Sequence, residues 1–391
     1  MINEKNDNIN IFYLPLLGFI TAAITTTALS IYVLYVGYFS KITNTQIPIL
    51  ILWGNLAYFF GMPLGKIVGR FLKFYKNLSF AIVGISILIS LSLFLMPFVR
   101  YFYELLILRI IQGTVTFYME VFSNFYSFLY KEFNKRVLAS SISISGIPGG
   151  VAIGTSVYIV SSQNPLIVYS LFAIISFLLA LFYSIKLRNF RNVQMNLKNE
   201  SKGTTYKMGR TWLMGFFWAT IAGFNLILGV LLPPFVSSYS PSDIPLAMEI
   251  FGYTGALITI IGGILAYVLK SSQTMSKIVA ISYILSFIGF IYLYFEPNGI
   301  NLAIALTLIN IEAIAVPFIY SVPRELYKEE LVAKGTWEFA LIGSSFHVWA
   351  SLLLLEVGTY FDFRLSIFLL IFPPIYGAIV SLLLPKIYIK S

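Results

Sequence analysis

The chain has 391 residues, of which 58% are hydrophobic and only 11% are Asp, Glu, Lys or Arg, against roughly 25% charged in an ordinary soluble domain. That composition excludes a soluble globular fold and supplies roughly ten to twelve membrane spans of about 20 residues each. It leaves no room for a large nucleotide-hydrolysing or catalytic domain, no GxxxxGK[ST] loop occurs, and the absence of cysteine excludes disulfides and thiolate chemistry.

In chain order, apolar runs fall at about 12–38, 47–69, 78–99, 102–130, 137–160 and 165–187, then 211–237, 245–269, 275–295, 299–321, 335–358 and 363–388. The first run follows polar residues of mixed sign with no small-residue cleavage site, so it reads as a retained helix. The expectation is an all-α polytopic membrane protein of twelve transmembrane helices in two six-helix bundles, 1–187 and 211–391. Residues 188–210, the longest polar stretch, form the linker between them. Placing the N-terminus in the cytoplasm puts 22 Lys and Arg inside and only Lys41, Arg100 and Arg364 outside, with Arg109 stranded in a span. Basic residues resist translocation, so both termini are expected in the cytoplasm of a cell-membrane protein. The +10 net charge is then a cytoplasmic skirt and no sign of nucleic-acid binding. The string LYKE recurs at 129–132 and 326–329, an offset of 197 that carries the first span onto the seventh and Gly146 onto Gly343. This echo at equivalent loops points to a duplicated six-helix unit.

Three segments carry a further signal. The fourth span contains RIIQG, Arg109 to Gly113; the end of the second reads GMPLGKIVGRFLK; the fifth carries SGIPGGVAIG. Together with the two-bundle pattern these resemble the major facilitator superfamily of secondary transporters. RIIQG is similar to that family's R-x-x-Q-G motif, whose arginine faces the central cavity and serves proton coupling or substrate binding; the resemblance implies such a role for Arg109. Gly61, Lys66, Gly69 and Arg70 resemble the family's gating loop, G-x-x-x-D-[RK]-x-G-R, except that Gly65 stands where the Asp would be and one extra residue precedes Gly69. Gly146, Pro148, Gly149 and Gly150 resemble the family's antiporter motif. Small residues there permit close helix approach and Pro148 permits a bend.

An ionisable side chain in the bilayer interior costs about 2.5–3.5 kcal/mol on insertion scales and faces a cavity or a partner. Arg109, Gly113, Thr116 and Glu120 fall at helical spacing on one face, with Gln112 beside it, so this face is expected to line the transport path. In the second half Glu312 and His347, the only histidine, lie near the centres of the tenth and eleventh spans. They form the expected proton-binding pair, with Glu312 as the principal carboxylate. Thr25, Asn55, Tyr58 and Asn225 are mid-depth polar residues and join Gln112 and Thr116 as substrate-cavity candidates. The function expected is secondary active transport of a small molecule by alternating access, with proton-coupled efflux of an amphipathic compound favoured over symport or uniport of a sugar or organic acid. No cofactor or metal is expected; the partners are the substrate, the proton and membrane lipid, and a monomer suffices. A polytopic membrane enzyme is the reading from another class, but no DDxxD or HExxH is present.

Overall fold

The computed structural model describes residues 4–72, 78–161, 163–186, 204–220 and 224–388. Among them every regular element is a helix, as expected where no water is available to satisfy an open strand edge. Eleven helical stretches are long and apolar enough to cross a bilayer: Tyr13–Leu34, Ile47–Phe71, Phe80–Phe98, Phe102–Ser127, Phe133–Val160 and Pro165–Ser184 as the first six spans, then Pro241–Leu269, Ser272–Phe295, Gly299–Ser321, Glu329–Tyr360 and Phe363–Lys386 as the eighth to twelfth. The seventh is described as two helices, Gly209–Trp218 and Phe224–Ser237. The chain is a multi-pass membrane protein. The linker expected at 188–210 lies largely outside the described residues, as do Lys73 and Lys76.

Several spans are interrupted at mid-depth, and the interruptions aim the polar residues. In the second span a π-helical turn, Leu50–Gly54, follows the short α-helical start at Ile47–Ile49. The fourth is α-helical over Phe102–Thr114, tightens to a 3-10 turn over Val115–Phe117 and resumes as α-helix over Tyr118–Leu129. The tenth repeats this plan, Gly299–Asn310, a 3-10 turn over Ile311–Ile314, then Ala315–Ser321. In the tenth, Pro317 has no N–H to offer the Ala313 carbonyl, so the α-helical ladder must break there. The two 3-10 turns fall at the 197-residue offset to within a residue. The fifth span divides into Phe133–Ile144 and Gly146–Val160 at Ser145.

Within the first half, the first span packs on the fifth and the second on the fourth. A Cβ built on Gly150 would stand 2.2 Å from the Ala23 carbonyl oxygen, and one on Gly65 only 1.8 Å from that of Thr114. The second and fourth spans therefore touch backbone to backbone. Any side chain at 65 would force them apart, a physical reason for the missing aspartate of the gating loop.

The halves meet where the fifth span packs on the eighth and tenth, the second on the eleventh, and the fourth on the tenth and eleventh. Ser123 donates to the Tyr320 carbonyl at 2.6 Å, and the Arg324 guanidinium donates to the carbonyl of Ser127. Each bond joins positions 197 residues apart. Contact between equivalent positions is what a two-fold axis between duplicated units produces.

Candidate functional site

Arg109 is fully buried inside the first half. Its Nε donates to the Gly54 carbonyl at 3.1 Å, Nη1 to the Ala28 carbonyl at 2.9 Å and to Gln112 Oε1 at 2.8 Å, and Nη2 to Asn55 Oδ1 at 3.2 Å. The rings of Tyr32 and Tyr58 lie 4.1 Å and 4.8 Å from the guanidinium carbon. The π-helical turn ends at Gly54, whose carbonyl accepts from the arginine. Sequence spacing related Arg109 to Gln112; the structure adds Asn55 and Tyr58 of the second span, singled out separately as mid-depth polar residues. They form a polar hub binding the first, second and fourth spans, and none of the four lines a described cavity.

Glu120 does not share that environment, which corrects the expectation of one cavity-lining face. A 3-10 turn advances about 120° per residue against about 100° in an α-helix, so Val115–Phe117 rotates the later half of the span by about 60° relative to the earlier. Glu120 emerges at the boundary with the second half. Its Oε1 lies 3.7 Å from Lys66 Nζ, with both side chains fully buried. Lys66, expected near the cytoplasmic loop, is instead inside the protein, where the second span packs on the fourth and the eleventh. The second half caps this ion pair with aromatic residues. The Tyr320 hydroxyl donates to Glu120 Oε1 at 3.1 Å, the Trp218 indole donates to the Tyr320 hydroxyl, the Trp218 ring lies 5.1 Å from Lys66 Nζ, and the Trp337 indole donates to the Lys66 carbonyl at 2.7 Å. Lys66 Nζ and Glu120 Oε2 make no hydrogen bond to a described protein group. Sequence reasoning missed this pairing and its caps; the signal for Lys66 was an ammonium only three residues inside the expected end of a span.

The end of the molecule carrying most of the basic residues is closed by ions. Arg136 pairs with Glu325 at 2.6 Å and Arg70 with Glu338 at 3.0 Å, each across the halves. Glu338 is buried and accepts from the Thr204 hydroxyl at 3.0 Å and from the Thr205 amide and hydroxyl at 2.7 Å each. Outside the spans, burial and then the Glu338 charge hold the Tyr206 phenol above its ordinary pKa. Toward the other end, Ser156 donates to Glu249 at 2.7 Å. There a cavity of about 440 Å³ opens between the halves, lined among others by Leu34, Tyr158, Gln163, Pro233 and Ser242. Between the two ends lies a space of about 50 Å³, bounded by Ser30, Pro148, Phe251, Thr259 and Asn310. The described conformation is closed at the basic end and cleft at the other.

The remaining candidates are dispersed. Glu312 is buried in the 3-10 turn of the tenth span, which packs on the ninth, and Tyr283 of the ninth is its electrostatic neighbour. His347 is buried against the Phe59 ring, 4.7 Å away, with Ser351 Oγ at 3.4 Å and Lys66 as its charged neighbour. Thr25 and Thr116 donate to carbonyls of their own spans, and the Asn225 side chain lies outside the described residues. Gly146 and Gly150 press on the first span, Gly149 makes ordinary contact with the Phe19 ring, and Pro148 packs on Gly252 and Gly255 of the eighth. Gly61 lies against the fourth span and Gly69 is buried.

The whole chain has close structural counterparts. The human organic anion transporter MFSD10 (TETRAN) superposes with a TM-score of 0.67 over 96% of this chain and 99% of its own, at 13% identity. The proton:xylose symporter XylE, of the major facilitator superfamily, does so with a TM-score of 0.72 over 97% and 96%, also at 13% identity. The fold is that of the major facilitator superfamily. No protein-family model matches the sequence, and no curated protein does; the likeness lies in the backbone. Within this major facilitator fold, the Lys66–Glu120 pair, held in the first half and capped across the seam by Tyr320, Trp218 and Trp337 of the second, is a buried charge cluster at the boundary of the halves.

Proposed function

We propose that the chain is a secondary transporter whose halves rock about the buried interface to expose a central site to either side in turn, with a proton exchanged at Glu120. The observation that carries this reading is the Lys66–Glu120 pair, held in the first half and capped by Tyr320, Trp218 and Trp337 of the second. While Glu120 is ionised it attracts Lys66 and accepts the Tyr320 hydroxyl, a charge-assisted contact that ties the halves at the basic end. A proton arriving through the cleft at the opposite end removes that attraction. Lys66 is then a buried cation without its counter-ion, and parting of the halves returns it to water. Proton binding on one side and opening to the other are thereby linked, as gradient-driven transport requires.

Proton-coupled efflux of an amphipathic compound, from the cytoplasmic side of a cell membrane, is the mode we favour. The Gly146–Gly150 segment at the first, fifth and eighth spans supports it, as does the scarcity of charge around the central space. The likeness to a structure described as a proton:xylose symporter supports uptake as the second reading. The basic end is then cytoplasmic, with both termini, and a monomer suffices. The test is flux in proteoliposomes under an imposed pH gradient, with ethidium as amphipathic probe and xylose as sugar probe. Wild-type protein is expected to accumulate one probe against its gradient, whereas Glu120→Gln retains downhill exchange and loses accumulation. Loss in Glu312→Gln with Glu120→Gln unaffected would place coupling at Glu312 instead, and the direction of proton movement separates efflux from uptake.

A further inference from the structure

The space of about 50 Å³ at the centre of the molecule is walled by the first and fifth spans of one half and the seventh, eighth and tenth of the other, so parting of the halves widens it. Its described lining includes no charged side chain, and the polar ones are Ser30, Thr259 and Asn310. All three have committed their hydrogens elsewhere. The Ser30 hydroxyl donates to the Thr27 carbonyl at 3.1 Å, and the Thr259 hydroxyl to the Gly255 carbonyl at 2.7 Å. The Asn310 amide nitrogen donates to the Phe251 carbonyl at 2.9 Å and to Thr254 Oγ1 at 2.6 Å, while the Thr254 proton is itself given to the Ile250 carbonyl at 2.6 Å. A carbonyl can only accept, so turning the Asn310 amide over would set oxygen against oxygen. That orientation fixes Oδ1 beside Gly255, where a Cβ would stand 3.3 Å from it, and among the described groups none donates to it. Pro148, in the same wall, has no N–H and leaves the Ile144 carbonyl without its α-helical donor. The polar atoms at this space are therefore acceptors, with no hydrogen left to give.

Resting on the transporter reading and naming the substrate class for it, we infer that this space receives a small, mainly apolar molecule through a hydrogen-bond donor. The N–H or O–H, such as that of an indole or a phenol, is directed at Asn310 Oδ1, and groups that can only accept, carboxylates among them, are turned away. Leu29, Val151, Phe251 and Val316 supply apolar contact for the body of the molecule. Lipid solvates such a body as well as these walls do, so they do not choose between molecules of one shape. The choice falls to the polar atom. A donor pairs an oxygen that otherwise has no partner, whereas an ether or carboxylate oxygen in its place sets lone pair against lone pair and gives up its own water. A site of this kind discriminates against the analogue lacking the hydrogen far more than against one lacking a methylene. Binding follows from the hydrogens the wall has already used and needs neither a gradient nor Glu120.

The experiment is equilibrium binding of tritiated indole to the full chain in phosphatidylcholine nanodiscs, with no pH gradient, and its displacement by unlabelled indole or benzofuran. The two probes share size and shape, but indole carries an N–H where benzofuran carries an ether oxygen. Nanodiscs holding Gly229→Leu give the reference for partition into lipid. Gly229 lines the space, a Cβ there meets only the Phe251 ring, at 3.5 Å, and the longer side chain fills the space. Indole is expected to bind saturably and benzofuran to compete about fivefold or more weakly. Asn310→Leu should bring the two to parity, and Gly229→Leu should abolish saturable binding of both. Benzofuran matching indole in the wild type overturns the substrate class, as does a lack of saturable indole binding, and a preference that survives in Asn310→Leu overturns the assignment to Oδ1. Should Asn310→Leu not fold, Gly229→Leu decides: indole binding undiminished by it places indole elsewhere and overturns the site. N–H-selective binding in a chain that drives neither ethidium nor xylose against a gradient would uphold the site while refuting the transport reading; gradient-driven accumulation with equal binding of indole and benzofuran would do the reverse.

Discussion

Lys66→Met is expected to destabilise the protein by about 3–5 kcal/mol, the usual cost of removing one member of a buried ion pair. The effect is large because the change leaves Glu120 as an uncompensated carboxylate at 0% exposure, with the Tyr320 hydroxyl as its remaining polar partner at 3.1 Å. The double variant Lys66→Met/Glu120→Gln is expected to recover most of that loss, since a neutral amide beside an apolar side chain has no charge to desolvate. Thermal unfolding in detergent measures both. Additive losses would show that the two side chains do not act as a pair, and the energetic basis for a proton-sensitive interface would go with them. The test separates charge from shape, because methionine keeps much of the length of the lysine side chain, whose Nζ lies 5.1 Å from the centre of the Trp218 ring.

Arg109→Lys is the second large expectation, although it conserves charge. The guanidinium distributes four hydrogen bonds among two backbone carbonyls and two side-chain amides, drawn from the first, second and fourth spans, and lies against two tyrosine rings. An ammonium is a compact, strongly hydrated charge that cannot reproduce the planar fork. A bond to a charged donor contributes about 1.5–3 kcal/mol, and each buried carbonyl left unmatched adds its own desolvation cost. Loss of two such bonds amounts to about 3 kcal/mol or more. The variant should therefore melt well below wild type in the same detergent assay, with Arg109→Ala falling alongside it. A lysine variant as stable as wild type would show that position 109 needs only a positive charge, returning Arg109 to the role of a mobile coupling group.

The spans were legible because 20-residue apolar runs are all that a bilayer asks of a helix, and the 197-residue echo placed the equivalent loops correctly. The Arg109 cluster was legible in part, since Gln112 lies one turn away and the amide at 55 is conspicuous in an apolar run. Lys66 was not. Its position three residues from the expected end of a span makes burial and snorkelling look alike, and only the packing of the second span on the fourth and eleventh decides between them. The separate environments of Arg109 and Glu120 depend on the turn at Val115–Phe117, whose valine, threonine and phenylalanine carry no breaker signal. The caps on Glu120 come from residues about 100 and 200 positions away, Trp218 and Tyr320, and two aromatics among 17% give no sign of which will turn inward. The burial of Glu338 was not legible, because its partners, Arg70 and the Thr204–Thr205 segment, come from a different span and from a polar stretch without periodicity.

The central claim is that neutralising Glu120 opens the basic end. The chain has no cysteine, so Ser140→Cys creates a single thiol at a fully buried position in the seam, where Ser321 of the other half faces it at 3.5 Å. Its rate of alkylation by a charged, membrane-impermeant maleimide reports how often that end parts. The account predicts slow alkylation with Glu120 intact and, at the same pH, an increase of about tenfold when Glu120→Gln is added, the population shift given by losing one charge-assisted contact of about 1.4 kcal/mol. An unchanged or slower rate in the Glu120→Gln background would contradict it.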